Sequence, residues 1–186
     1  MMGTKGDLPE GFVYQPDFMT ADEEKALLAD IARLEFSTLT MHGVTARRRV
    51  IHYGWLYGYE SFKITPGPPI PEFLLPIRER AARTVEVQPD ELGEALLTEY
   101  SAGATIGWHR DAPAFGVVLA VSLAGSCRLR FQKGRGSERQ TAELVVEPRS
   151  LYVLSGVARN QWQHSIPPTK ELRYSITFRT LRRENQ

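Results

Sequence analysis

The stretch LRYSITFR, residues 172–179, alternates polar and apolar side chains with the period of two that indicates a β-strand. Its polar positions are Arg173, Ser175, Thr177 and Arg179, and its apolar positions are Leu172, Tyr174, Ile176 and Phe178. Residues two apart in a strand share a face, so the apolar face is expected to pack on a core. The polar face has two interpretations: it is solvated, or it lines a cavity that holds an anion.

Seven more short runs of this kind precede that strand and are separated by turns. We expect strands near 95–100, 106–110, 117–122, 127–132, 140–146, 150–154 and 161–166, followed by the strand at 172–180. Many short strands at this spacing are typical of an antiparallel sandwich or barrel. The predicted fold class is therefore mainly β, in an α+β arrangement with helices at its N-terminal side.

Two helices are expected before the strand-rich region. Thr20 to Glu23 has the pattern of a capping box, and apolar residues at helical spacing continue this helix to about Leu34. The second helix is expected over Glu72 to Thr84, with a kink or a start at Pro76. No linker divides the chain, so we expect one domain over residues 1–186, with both helices packed on one face of the β-structure.

Length and composition favour a soluble globular protein. A chain of 186 residues with 42% hydrophobic residues can bury a core without disulfides, and its single cysteine, Cys127, suits a reducing compartment. We find no apolar run long enough for a signal peptide or a membrane span, so a cytoplasmic location is expected. The sequence does not indicate the oligomeric state.

The overall charge does not identify a partner. Lys and Arg number 23 against 22 acidic residues, a formal net charge of +1, which is small for a nucleic-acid-binding protein. The charge is nevertheless uneven, because Arg47, Arg48 and Arg49 are consecutive. Charge therefore neither supports nor excludes a nucleic-acid substrate.

A candidate metal site begins with the His-x-Asp of His109 and Asp111, which share one face if this segment is a strand. His164 lies in another strand-like run. Two imidazoles and one carboxylate form the facial triad that holds non-haem Fe(II) and leaves positions open for a co-substrate and oxygen. A His-x-Asp alone is also compatible with a surface histidine beside a turn-forming aspartate.

The two arginines within residues 172–179 favour a metal enzyme over a surface histidine beside a turn. The guanidinium fork binds a carboxylate through two parallel hydrogen bonds. A dicarboxylate such as 2-oxoglutarate needs such a clamp at one end and a metal at the other. The sequence offers both within one short region.

The combined pattern resembles the AlkB family of Fe(II)/2-oxoglutarate-dependent dioxygenases. The resemblance rests on His109-x-Asp111, His164 and Arg173-x5-Arg179, together with the lead-in LTEYSAGA at residues 97–104. It implies a double-stranded β-helix, or jelly roll, with two supporting N-terminal helices. Residues 70–181 would form the helix and catalytic core, and residues 1–69 an N-terminal extension and substrate lid.

The resemblance also implies a role for each matching residue. His109, Asp111 and His164 would be the catalytic Fe(II) ligands; Arg173 would bind the distal carboxylate of 2-oxoglutarate with help from the Tyr100 hydroxyl; and Arg179 would support the keto-acid end. Iron, 2-oxoglutarate and O2 together would supply the oxidising power.

Three positions depart from the family pattern. Thr98 and Ser175 stand where members usually carry asparagine, and a hydroxyl is shorter than an amide, so we expect them to contact the co-substrate less directly. Some nucleic-acid repair members have an acidic base-contacting residue after the His-x-Asp. This chain has Ala112-Pro113-Ala114 there, which leaves the base substrate open.

Residues 47–59 correspond to the substrate lid of the family. Trp55 and Tyr57 are candidates for stacking on a flipped base, and Arg49 for binding a phosphate. Ordinary sheet packing explains the same aromatic residues. Trp108, although next to a ligand, points to the opposite face of its strand and is expected to pack in the core, while His52 has no partnering pattern.

Three functions are compatible with these residues. The first is oxidative demethylation of N-alkylated bases in DNA or RNA, with release of formaldehyde, succinate and CO2. The second is a related oxygenase that acts on a protein side chain or a small metabolite. The third is a cupin-like module that binds metal or ligand without turnover.

Overall fold

The computed structural model describes residues 6–41, 44–58 and 60–182, and Tyr59 at the end of the predicted lid lies outside these ranges. The described strands are β1 Phe12–Gln15, β2 Ser37–Met41, β3 Val44–Tyr57, β4 Ile64–Pro66, β5 Leu92–Tyr100, β6 Ile106–His109, β7 Phe115–Leu123, β8 Cys127–Lys133, β9 Gln140–Val146, β10 Ser150–Leu154, β11 Gln163–Ile166 and β12 Arg173–Leu181. The α-helices are α1 Ala21–Ile31, α2 Leu75–Arg83 and α3 Gly156–Asn160.

The strands form two antiparallel sheets. The large sheet has the order β1-β10-β7-β12-β5-β3-β2, with β4 paired to β3, and the small sheet has the order β6-β11-β8-β9. Neighbours in space are mostly distant in sequence, as in a jelly roll. The predicted mainly β, double-stranded β-helix fold is confirmed, and β1, β2 and β3 from the N-terminal region belong to the large sheet.

Helices α1 and α2 cover one face of the large sheet. Leu27 and Ile31 of α1 and Ile77 of α2 belong to the same buried cluster as Leu97 of β5 and Phe178 of β12. These apolar side chains lose their contact with water, which is the main favourable contribution to packing the helices on the sheet. The predicted arrangement of two helices on one face is thus observed.

The helix starts follow local sequence signals. The Thr20 side chain accepts a hydrogen bond from the backbone of Glu23, whose side chain in turn accepts one from the backbone of Thr20, so the predicted capping box is present. The second helix was predicted to kink or start at Pro76. A 3-10 turn over Glu72–Leu74 precedes α2. Pro76 lies in the first turn of α2, where a backbone N–H would have no partner within the helix, so its absence costs nothing.

A second apolar cluster fills the space between the two sheets. It combines Val118 and Tyr152 of the large sheet with Leu129, Phe131 and Leu144 of the small sheet. Cys127 is buried in the same cluster, as expected for a small apolar side chain. This packing holds the sheets face to face and leaves polar side chains of β5 and β12 on the inner surface of the large sheet.

All eight predicted strands are present, with ends shifted by a few residues. The short strands β1, β2 and β4 and helix α3 were not predicted. Strand β1 has only four residues and owes its pairing to β10, which is remote in sequence. Within the described residues, none of the helices has the length and apolar character needed to cross a bilayer.

Candidate metal centre and co-substrate site

Two adjacent strands of the small sheet bring the predicted histidines together. His109 at the end of β6 is the register partner of His164 in β11, and the two ring centroids are 4.3 Å apart. Nδ1 of His109 lies 2.9 Å from the carbonyl oxygen of Gly107. A hydrogen bond at Nδ1 leaves Nε2 available for a metal, since a neutral imidazole donates from only one of its nitrogens.

Asp111 completes the predicted triad just after β6. The ligand atoms of His109, Asp111 and His164 all lie within 4.8 Å of one another. The Asp111 side chain is only 4% exposed, and its Oδ2 atom is 3.6 Å from Nε2 of His164. This arrangement matches the two imidazoles and one carboxylate that bind non-haem iron on one side.

The surroundings of Asp111 and His164 keep these two triad residues in the protonation states that a metal requires. Burial alone would raise the pKa of Asp111, but the guanidinium of Arg179 holds it well below its ordinary value. Burial lowers the pKa of His164 to about 4, so this imidazole is neutral near pH 7. A carboxylate and a neutral imidazole are the forms that ligate metal.

Arg179 of β12 fixes the carboxylate of Asp111. Its Nε and Nη2 donate to Oδ1 of Asp111 at 2.9 and 2.6 Å, and its Nη1 donates to Oε2 of Glu94 at 2.6 Å. Charge-assisted hydrogen bonds of this kind are strong and directional. The structure therefore shows Arg179 orienting an iron ligand, while its predicted contact with the keto-acid end stays a prediction.

Arg173 lies on the inner face of the large sheet with two unused nitrogens. The residue is fully buried, and its Nε donates to Oγ of Ser122 at 2.9 Å. Its Nη1 and Nη2 atoms have no hydrogen-bond partner among the described residues. Buried guanidinium nitrogens are normally paired, because desolvating an unpaired charge is costly. The free fork thus fits a carboxylate that the site is built to receive.

The other predicted co-substrate residues share this inner face. Tyr100 is the register partner of Arg173, with its ring centroid 5.1 Å from the guanidinium carbon, and Thr98 is the register partner of Ser175. Thr98 and Ser175 are buried, with exposed fractions of 5% and 4%. The polar face of β12 therefore lines the space between the sheets, and the alternative of a solvated face is wrong.

The residues present fit iron and a dicarboxylate. Oδ2 of Asp111 is buried without a hydrogen-bond partner in the described structure, beside two imidazoles, while the free fork of Arg173 lies on the same inner surface. The first group suits a cation and the second an anion. His109, Asp111 and His164 would hold Fe(II), and Arg173 would hold a carboxylate of 2-oxoglutarate.

The three predicted substrate residues differ in their position relative to the metal site. Arg49 forms a bidentate pair with Glu99 at 2.9 Å through each of two nitrogens. Position 99 has the opposite strand parity to Thr98 and Tyr100, so this pair lies away from the inner face. Tyr57 has its ring centroid 6.2 Å from that of Phe115, whose ring lies 5.3 Å from the guanidinium of Arg179, and Trp55 is 39% exposed. Tyr57 thus approaches the site and Arg49 does not.

Several residues of the site were not predicted from the sequence. Ser122 orients Arg173, and Glu94 and His52 extend the network of Arg179. Arg159 is buried and donates to the backbone carbonyls of Ala112, Phe115 and Gly116, which pins the loop that follows Asp111. Backbone acceptors leave no mark in the sequence, so no signal pointed to Arg159.

The expectation that Trp108 packs in the core is wrong. It points away from the metal ligands, as predicted, but it is 37% exposed. Strand β6 lies at the edge of the small sheet, and the guanidinium carbon of Arg130 lies 5.1 Å from the ring centroid of Trp108.

A jelly roll with a His-Asp-His triad and a buried arginine fork defines an iron- and keto-acid-dependent oxygenase. The sequence profile of the 2OG-Fe(II) oxygenase superfamily matches residues 11–179, so the chain belongs to that superfamily. It is accordingly an oxidoreductase that uses Fe(II), 2-oxoglutarate and O2.

Two sequence relatives are of the AlkB-like kind that the resemblance indicated. The chain is 30% identical to the alkylated DNA repair protein ALKBH8 homolog of Arabidopsis thaliana, over 86% of this chain and 51% of that protein. It is 27% identical to tRNA (carboxymethyluridine(34)-5-O)-methyltransferase alkbh8 of Xenopus tropicalis, over 88% of this chain and 26% of that protein. The chain thus spans about half or about a quarter of these relatives.

A solved structure shows the same fold. The structure of OsALKBH1 superposes with a TM-score of 0.71 at 15% identity, covering 96% of this chain and all of that one. At this identity the likeness concerns the fold alone.

Proposed function

We propose that this protein oxidatively demethylates N-alkylated bases in DNA or RNA. The observation that carries the proposal is the joint presence of the complete triad, the free Arg173 fork and AlkB-like sequence relatives. One of those relatives is named for alkylated DNA repair and the other for tRNA modification. Both names support nucleic acid as the substrate class.

The predicted lid strand β3 supplies the features that a nucleic-acid substrate needs. Trp55 is 39% exposed, and Tyr57 reaches Phe115 beside Arg179. Aromatic side chains stack on any base at a gain of about 1–3 kcal/mol each. Arg47 is exposed on the same strand and is available for a phosphate, a role that replaces the one predicted for the paired Arg49.

The chain's residues carry out binding and orientation. His109, Asp111 and His164 bring three ligand atoms within 4.8 Å of one another and would hold Fe(II) through them. Three protein ligands leave further positions on the metal for co-substrate and substrate. Arg173 anchors the distal carboxylate, and Arg179 keeps Oδ2 of Asp111 directed away from its own donors. Burial of Asp111 and His164 limits water near the reacting carbon.

Bound iron, 2-oxoglutarate and O2 would together supply the oxidising power that replaces a C–H bond of the substrate by C–OH, with one oxygen atom of O2 entering the C–OH group, the other entering succinate, and CO2 released. When the carbon is an N-methyl group, the resulting N-hydroxymethyl group breaks down to formaldehyde and the free amine. Formaldehyde is therefore the product that distinguishes demethylation from plain hydroxylation.

The test is a panel of methylated single-stranded and double-stranded DNA, RNA and tRNA, assayed for formaldehyde and succinate together. We expect at least one methylated substrate to yield formaldehyde together with an equal amount of succinate above the substrate-free rate, and its unmethylated counterpart to yield no formaldehyde and no succinate above that rate. Succinate without formaldehyde across the whole panel would contradict the proposal. That outcome would direct attention to a protein side chain or a small metabolite, whereas a cupin-like binding module would make neither product.

A further inference from the structure

A buried carboxylate, Glu94, is hydrogen-bonded to Arg179, the residue that orients the iron ligand Asp111. Its side chain is 2% exposed and faces the space between the sheets from β5. Oε2 of Glu94 accepts a hydrogen bond from Nη1 of Arg179 at 2.6 Å. Oε1 lies 3.4 Å from Nδ1 of His52, at the long end of hydrogen-bonding distance. Both oxygens are thus engaged, each with a different strand.

Arg179 connects this carboxylate to the metal site. The guanidinium is planar and rigid, so its three donors are fixed relative to one another. Two of its nitrogens bind Oδ1 of Asp111, and the third binds Glu94. Glu94 therefore fixes the rotation of the same group that orients the iron ligand. It touches neither the expected iron nor the co-substrate clamp, and so acts as a positioning residue.

His52 extends the network to β3, the strand of the predicted substrate lid. Its register partner is Leu96, two positions from Glu94, so the imidazole is on the inner face. The side chain of His52 is 38% exposed. The neighbouring Gly54 pairs with Glu94 at a backbone φ of +76°, and a Cβ there would lie 2.1 Å from the carbonyl oxygen of Gly93. Only glycine permits this close approach of β3 to β5.

We propose that His52, Glu94 and Arg179 form a positioning relay that couples the lid strand β3 to the iron ligand Asp111. The relay consists of three consecutive contacts: His52 to Glu94, Glu94 to Arg179, and Arg179 to Asp111. Groups that orient metal ligands typically change metal affinity or activity about 10–100-fold when they are removed. The relay concerns the metal site and does not depend on the substrate being a nucleic acid.

The chain offers a closely matched control in Glu99. This residue is also on β5, and it also forms a short ion pair with an arginine, Arg49, at 2.8 Å. Its side chain lies on the opposite face of the sheet, away from Asp111. E94Q and E99Q thus break ion pairs of the same kind on the same strand. Only E94Q acts on the relay.

The experiment measures equilibrium Mn(II) affinity by electron paramagnetic resonance in the full chain, without turnover. We expect E94Q to raise the Mn(II) dissociation constant about tenfold. E94A, which removes the acceptor altogether, should raise it at least as much, and E99Q should stay within about twofold of the wild type. Thermal midpoints of all variants provide the comparison for a purely structural effect, which would lower the midpoints of E94Q and E99Q alike without separating their Mn(II) affinities.

A double-mutant cycle tests whether His52 belongs to the same relay. We expect H52A alone to raise the Mn(II) dissociation constant about threefold and H52A/E94Q to resemble E94Q, since residues in one network are not additive. Multiplying effects would show that His52 acts independently and would overturn the relay. E94Q affinity within twofold of the wild type would overturn the positioning role of Glu94.

Discussion

Arg179 donates two hydrogen bonds to a single oxygen of Asp111, Oδ1, at 2.9 and 2.6 Å. Oδ2 of the same carboxylate is buried without a hydrogen-bond partner among the described residues. One arginine therefore decides which oxygen is directed toward the histidines. Hydrogen bonds to Oδ1 thus hold Oδ2 in a fixed position beside the histidines.

The first prediction concerns the metal ligands. H109A and H164A should each reduce Mn(II) affinity by at least a hundredfold, because each removes one of three protein ligands. Far-ultraviolet circular dichroism should stay close to that of the wild type, since neither side chain belongs to an apolar cluster. Wild-type Mn(II) affinity in either variant would show that the assigned ligand is wrong.

The second prediction concerns the carboxylate clamp. R173A should raise the KM for 2-oxoglutarate by at least about a hundredfold, since removing one partner of a buried charge pair costs about 3–5 kcal/mol. Succinate formation as a function of 2-oxoglutarate concentration measures the effect. R128A provides the control, because Arg128 is 56% exposed and pairs with Glu143 at 3.8 Å on the small sheet. Equal KM values for R173A and R128A would contradict the clamp.

The third prediction concerns Ser122, which holds Nε of Arg173. S122A leaves this buried charged donor without an acceptor, at a cost of about 1.5 kcal/mol or more, so the KM for 2-oxoglutarate should rise about tenfold. The matched control is S150A, because Ser150 is equally buried and is the register partner of Ser122, but donates to the Glu147 carbonyl. S150A should leave this KM within about twofold of the wild type, and a shared tenfold rise would refute the specific role of Ser122.

The fourth prediction concerns stability. A ligand that binds only the folded chain at 100 times its Kd stabilises it by about 2.7 kcal/mol, which corresponds to roughly 5–10 °C for a chain of this length. We therefore expect Mn(II) plus 2-oxoglutarate to raise the Tm of the wild type by that amount in differential scanning calorimetry. The 2-oxoglutarate-dependent part should vanish in R173A. A full shift in R173A would place the keto acid elsewhere.

The strands of the C-terminal β-rich region were predictable because they depend on local pattern, whereas the ligand set was assigned through the resemblance to a known family. Alternation of period two marked β12, and the same alternation placed Arg173, Ser175 and Arg179 on one face, as observed. His109 is the last residue of β6 and Asp111 follows outside the strand, so the two-residue period did not by itself bring these two side chains together. Alternation along the sequence predicts the face of a residue because burial of the apolar side chains determines which face of each strand packs on the core.

The contacts between strands were not predictable. Arg173 meets Ser122 and Glu94 meets Arg179 only because β12 lies between β7 and β5 in the large sheet. His52 was interpreted as an ordinary polar residue, since nothing near it in sequence reveals Glu94, 42 positions later. Arg49 belonged to a basic run that suggested phosphate binding, yet Glu99 on the adjacent strand neutralises it.

Succinate formation in the absence of any other substrate tests the central claim most directly, namely that this site brings iron and 2-oxoglutarate together. The measurement compares the wild type with the H109A/H164A variant in the presence of Fe(II), O2 and 2-oxoglutarate. We predict slow but sustained succinate release by the wild type and none above background by the double variant. Equal succinate release by the two proteins, or none from the wild type, would contradict the account.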